Sequence, residues 1–133
     1  IFFQKIIESG EYPREQLDRI PSDIFSRYFS RVGETDNYRI SEDLIKCMHY
    51  KKHDLLSLQP VKNDFSLILC KNVLLHFKHE ERVDVIKMFH ANLLEGGFFV
   101  TEQTQKMPAE LDGYFEQVVP NAQVFRKVFP ESV

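Results

Sequence analysis

This 133-residue chain contains no tryptophan, two cysteines and five glycines. Cys47 and Cys70 cannot build a disulfide framework or a four-thiolate zinc site, so a reducing cytoplasm is the expected setting. The scarcity of glycine leaves no Gly-rich phosphate loop, and Gly96-Gly97 follows a predicted helix instead of preceding one. No Gly-x-Ser-x-Gly turn is present to hold a nucleophilic serine. The longest apolar run, Phe65 to Cys70, is strand-sized, far short of the ~20 residues a membrane span needs. Basic charge is not in excess: Lys plus Arg number 17 against 20 Asp plus Glu, a formal charge of −3. That balance excludes a broad nucleic-acid footprint and argues against membrane association. His76 and His79 are three apart, but no His-Glu-x-x-His pattern or third spaced ligand accompanies them, so no metal is expected.

What is present is a soluble globular composition, 43% hydrophobic and 28% charged. The chain opens on Ile1 with no initiator methionine and no signal-peptide pattern, as if cut from a longer protein. Phe2, Phe3, Ile6 and Ile7 form a helical stripe that Gly10 stops. Pro21-Ser22-Asp23 starts a second helix with Ile24, Phe25, Tyr28 and Phe29 on its apolar face. Tyr38-Arg39-Ile40 reads as extended, and Ser41-Glu42-Asp43 as a helical turn.

The pattern then changes. Met48 to His53 is predicted as a strand, with His53 to Leu58 as its turn-like exit. Asp64 to Cys70 is nearly continuous in apolar residues, which suits a parallel strand buried on both faces. Lys71 to Lys78 is its exit loop. Glu80 to Leu94 is the clearest helix, with Val83, Ile86, Phe89, His90 and Leu93 at helical spacing. Phe98 to Thr101 is the next strand, and Ala122 to Phe129 the last. The architecture predicted is α/β, a single incomplete domain over 1–133, with helices before about 47 and a sheet-forming part over 47–130.

Ligands of open α/β sheets sit beyond the carboxyl ends of parallel strands. Two such ends are visible, His53-Asp54-Leu55-Leu56 and Cys70-Lys71-Asn72-Val73-Leu74-Leu75-His76-Phe77. Asp54 accepts hydrogen bonds, and Asn72 both donates and accepts. Each has an ordinary alternative as a cap or turn residue, and His76 as a packed core histidine.

Read in order, Tyr12-Pro13, Ile20-Pro21, Arg27-Tyr28-Phe29, Tyr38-Arg39-Ile40, His53 to Leu56, Asp64-Phe65, Cys70 to Phe77 and Leu93 to Phe98 closely resemble the catalytic domain of CheR-type chemotaxis-receptor methyltransferases. The resemblance runs from about Ile6 to Val128, and Asp64 to Phe77 is its most specific part. It implies a partial class I, Rossmann-like fold that uses S-adenosylmethionine to methylate glutamate side chains of bacterial chemoreceptors. It puts Asp54 and Leu55 near the adenine, Asn72 and Val73 beside the cofactor's methionine part, and Lys71 and His76 close to the transferred methyl. Three departures stand out. Lys71 and His76 replace the family's usual Arg and Tyr, and Thr101-Glu102-Gln103-Thr104 replaces a Gly-His-Ser-Glu-like run. Lys gives a point charge where Arg gives a fork, and His titrates where Tyr stays neutral. The acceptor is therefore open to question.

The family's first strand, cofactor loop and ribose-binding acid would precede Ile1, and its central strands would lie between the Met48 and Phe65 strands. Their absence predicts a gap in the sheet and a chain inactive alone. Each unpaired buried backbone group costs about 1–3 kcal/mol. Residues upstream of Ile1, a second copy completing the sheet as a homodimer, or a rearranged sheet would close the gap. The expected partner is a chemoreceptor cytoplasmic segment. The competing readings are a non-catalytic regulatory module that kept the fold, and a methyltransferase of the same fold acting on another acceptor.

Overall fold

A computed structural model describes residues 2–130. Ile1, the first residue of the predicted N-terminal helix, lies outside them. The chain divides into two compact units, Ile1–Lys52 and His53–Val133.

In the first unit, α1 (Phe2–Ser9) ends at Gly10. Gly10 is buried at φ +66°, where a Cβ would lie 2.7 Å from the Ile45 side chain and 2.8 Å from that of Ile40. Only glycine meets both demands. Then come β1 (Glu11–Pro13), a 3₁₀ turn, α2 (Ser22–Tyr28), β2 (Phe29–Arg31), β3 (Asn37–Ile40) and α3 (Glu42–Ile45). The three strands form an antiparallel sheet ordered β1-β3-β2. This part is therefore less helical than expected. Phe29, predicted on the α2 face, instead opens β2, and its ring stacks on Phe25 at 5.5 Å. Met48 to His53 is not a strand, because no neighbouring strand among the described residues takes up its backbone groups.

The second unit holds a four-stranded mixed sheet ordered β4-β5-β7-β6, made of β4 (Phe65–Leu69), β5 (Leu93–Val100), β6 (Phe115–Gln117) and β7 (Val124–Lys127). β4 and β5 are parallel, and the other two pairings are antiparallel. α4 (His79–Asn92) connects β4 to β5. Its start is fixed by Glu81, whose carboxylate accepts from the Lys78 N–H at 2.9 Å. Val83, Val85, Ile86 and Phe89 of α4 join Cys70, Leu74, Leu93, Phe99, Leu111 and Phe125 in one core. His90 is buried and satisfied. Its Nε2 donates to the Val128 carbonyl at 2.7 Å, and the ring packs edge-on against Tyr114 and Phe115.

β5 is longer than the predicted Phe98–Thr101 strand, and Glu95 to Gly97 is taken up as a register irregularity. A Cβ on Gly97 would sit 2.9 Å from the Leu94 carbonyl and 3.1 Å from that of Phe65, so the approach of β4 to β5 depends on that glycine. β4 itself departs from expectation. It lies at the sheet edge, paired on one side among the described residues, with Leu67 55% and Leu69 66% exposed. The apolar run predicts a strand buried on both faces, but Phe65, Ile68 and Cys70 meet the core while Leu67 and Leu69 do not. No helix among the described residues is long and apolar enough to cross a membrane.

Candidate functional site

The two parallel strands deliver their carboxyl ends side by side. Cys70 continues β4, its N–H donating to the Val100 carbonyl at 3.0 Å, and the next residues turn away. Asn72 makes the turn at φ +60°, a left-handed conformation that asparagine tolerates better than most residues. On the neighbouring strand Val100 leads into Thr101 and Glu102. The two exits are tied together by Glu102, whose Oε2 accepts from the Asn72 N–H at 3.1 Å and from the Thr101 hydroxyl at 2.8 Å.

Leu69, Lys71, Asn72, Val100, Thr101, Glu102, Gln103 and Thr104 line an open cleft of about 660 Å³ at these strand ends. That volume is in the range of small-molecule sites. Partial burial pushes the Glu102 carboxyl up, but the bonds from the Thr101 hydroxyl and from the Glu102 and Asn72 N–H groups, with Lys71 nearby, hold it below its ordinary value. Its other oxygen, Oε1, is buried and has no partner among the described residues. The neighbouring Cys70 thiol is pushed up to about 11, first by burial and then by the Glu102 charge. It is therefore a packing thiol and not a nucleophile.

The candidate residues fall in different places. Lys71 and Asn72 line this cleft. Val73 is 37% exposed beside it in sequence, before the 3₁₀ turn Leu74–His76. In that turn Leu74 is fully buried and His76 is exposed, so His76 is not the packed core histidine its apolar neighbours suggested. Asp54 caps a second 3₁₀ turn, Leu55–Ser57, by accepting from the Leu56 N–H at 3.0 Å. This is its ordinary capping reading, with one carboxylate oxygen engaged. Leu55 packs against the core and lines a separate apolar cavity of about 240 Å³, with Phe65, Ile68, Met88 and Phe89. His53 lines the same cavity, and its buried Nε2 has no partner among the described residues. Lys71 and Asn72 are thus brought together, whereas Leu55 belongs to the other cavity. Glu102 was not among the candidates. The only sequence signal for it was its place in the Thr101 to Thr104 departure.

Among the described residues no group of three His, Cys, Asp or Glu side chains is arranged to hold a metal.

Residues 5–124 match the family described as CheR methyltransferase, SAM binding domain. Among curated proteins the chain is 31% identical over 88 residues to a chemotaxis protein methyltransferase of Listeria monocytogenes, covering 66% of this chain and 32% of that protein. It is 25% identical over 92 residues to one from Borreliella burgdorferi, covering 68% of this chain and 32% of that protein. A probable chemotaxis protein methyltransferase of Rhizobium etli is 21% identical over 115 residues, 85% of this chain and 43% of that protein. The chain spans about a third of the length of the first two relatives.

Proposed function

The chain belongs to the CheR methyltransferase SAM-binding family, and from that premise we propose that it forms part of an enzyme methylating glutamate carboxylates of a bacterial chemoreceptor's cytoplasmic segment. The observation that carries the reading is the cleft at the carboxyl ends of β4 and β5, inside the span that matches the family. S-adenosylmethionine is the family's cofactor, and the cleft suits a polar ligand: a left-handed Asn72 turn beside an ionised carboxylate with an orphan oxygen. Asn72 and Val73 would hold the methionine part, and Asp54 and Leu55 the adenine. When bound, S-adenosylmethionine supplies an electrophilic methyl on a positively charged sulfur.

The protein's contribution is alignment, because a carboxylate acceptor arrives deprotonated and needs no strong base. Lys71, exposed at the cleft, offers a point charge that draws an acceptor carboxylate but does not fix it in two-pronged geometry. His76, exposed on the adjoining turn, is available to an incoming acceptor.

The relatives named chemotaxis protein methyltransferase support methyl transfer in chemotaxis, and the glutamate carboxylate is the finer part of the proposal. The single-sided pairing of β4 and its exposed Leu67 and Leu69 support the further reading that these 133 residues alone are not a competent enzyme. A second copy pairing along the β4 edge is one way to cover it. The test is transfer of labelled methyl from S-adenosylmethionine to a chemoreceptor cytoplasmic fragment by the full-length protein. Label released by mild base is the expected result, since methyl esters hydrolyse and N-methyl groups do not. Base-stable label would move the acceptor to another group. No transfer, with receptor binding retained, would favour a regulatory module, the reading that Lys71, His76 and the Thr101 to Thr104 loop support.

A further inference from the structure

We propose that Glu102 is a ligand-binding residue: Oε2 tethers the Asn72 turn, and Oε1 accepts a hydrogen bond from a cationic N–H donor of the bound ligand. The inference rests on the methyltransferase reading and deepens it.

Two observations carry the proposal. The first is the tether. Glu102 lies 30 residues from Asn72 in sequence, and its Oε2 bonds join the exits of the two parallel strands at the cleft. A backbone held at φ +60° in a non-glycine residue needs its surroundings to maintain it. The second is the unfinished half of the carboxylate. Oε1 is screened from water and has no donor among the described residues. Leaving such an oxygen unpaired is unfavourable, and more so when the group is charged. Lys71 is near enough to influence the Glu102 charge, yet no ion pair joins them among the described residues. The missing partner is therefore a donor that the described residues do not supply. A cationic N–H suits an ionised oxygen best, because charge-assisted bonds are about twice as strong as neutral ones. Two ligands offer that chemistry: the α-ammonium of the cofactor, or an amine on the methyl acceptor.

Glu102→Gln separates a tether from a ligand contact. The variant is isosteric, and its amide oxygen faces the Asn72 N–H and Thr101 hydroxyl because both are donors. Its NH₂ then replaces Oε1 and meets an incoming N–H donor to donor. A residue acting only as a tether would tolerate this change.

The experiment is calorimetric titration of S-adenosylhomocysteine, and of its analogue lacking the amino group, into the full-length wild type and E102Q, with melting temperature measured alongside. The expected result is about tenfold or greater weakening of S-adenosylhomocysteine binding in E102Q at unchanged melting temperature. The wild type should lose a similar factor for the deaminated analogue, an arm that requires no variant to fold. If both titrations are unmoved while E102Q raises KM for the receptor fragment about tenfold, the N–H donor belongs to the acceptor and the proposal stands. If wild type binds, and neither E102Q nor removal of the amino group changes any of these, Glu102 is a tether alone and the proposal is overturned. If wild type itself does not bind S-adenosylhomocysteine, the methyltransferase reading fails together with it.

Discussion

The two faces of the second unit's sheet are built from similar residues and have opposite fates. On one face Ile68, Phe99 and Phe125 lie across three neighbouring strands and meet the α4 core, with Phe99 fully buried. On the other, Leu67 and Leu69 of β4 stand 55% and 66% exposed, and Phe98, opposite Leu67, stands 38% exposed. Composition does not separate the faces, since each carries phenylalanine and branched aliphatic side chains. What separates them is whether a packing element lies over them. Hydrophobic burial is a property of the pair of surfaces and not of the strand. The open row turns polar only further along the sheet, where Arg126 lies opposite Phe98 and pairs with Glu116 at 2.8 Å.

Truncations should widen that contrast most. Phe99→Ala removes a fully buried ring and should cost about 3–5 kcal/mol in urea unfolding. Leu69→Ser, on the open face of the same sheet, should change stability by less than about 0.5 kcal/mol. A loss at Leu69 approaching that at Phe99 would mean the face is covered in solution, and the comparison would break. Gly97→Ala should cost about 1–3 kcal/mol, because its methyl meets the Leu94 and Phe65 carbonyls and forces β4 and β5 apart.

The pH dependence at the strand ends follows with a definite sign. Glu102 is held below its ordinary value, so its ionised form stabilises the fold above that value, and the contribution disappears as pH falls through the lower native one. The stability difference between wild type and Glu102→Ala, which loses both Oε2 bonds, should therefore be full near neutrality and shrink in acid. A difference that persists unchanged in acid would show that charge is not its source.

The smallest effect is chemical. Cys47 is exposed and Cys70 is buried, its thiol pushed up to about 11. One thiol per native chain should react with a neutral disulfide reagent, and the second only on unfolding.

Much of this is legible in the sequence. The α4 face was legible because Val83, Ile86, Phe89 and His90 repeat at helical spacing, and β4 because Asp64 to Cys70 has a strand's length. The Met48 strand was misread because strand existence depends on a partner that local sequence does not contain. The burial of β4 on both faces failed for the same reason. Asn72 was visible as a candidate because its position follows a parallel strand, but the left-handed turn and its bond to Glu102 join residues 30 apart in sequence. No local pattern encodes a contact of that separation. His76 shows the converse, since its apolar neighbours suggested burial while the turn directs Leu74 inward and leaves His76 exposed.

The cleft beyond β4 and β5 is the proposed site for S-adenosylmethionine. Calorimetric titration of S-adenosylhomocysteine into the full-length protein, with the 133-residue chain beside it, tests this most directly. Saturable micromolar binding by the full-length protein is expected, with much weaker binding by the short chain and its open β4 edge. Absence of saturable binding by the full-length protein would contradict the proposed site.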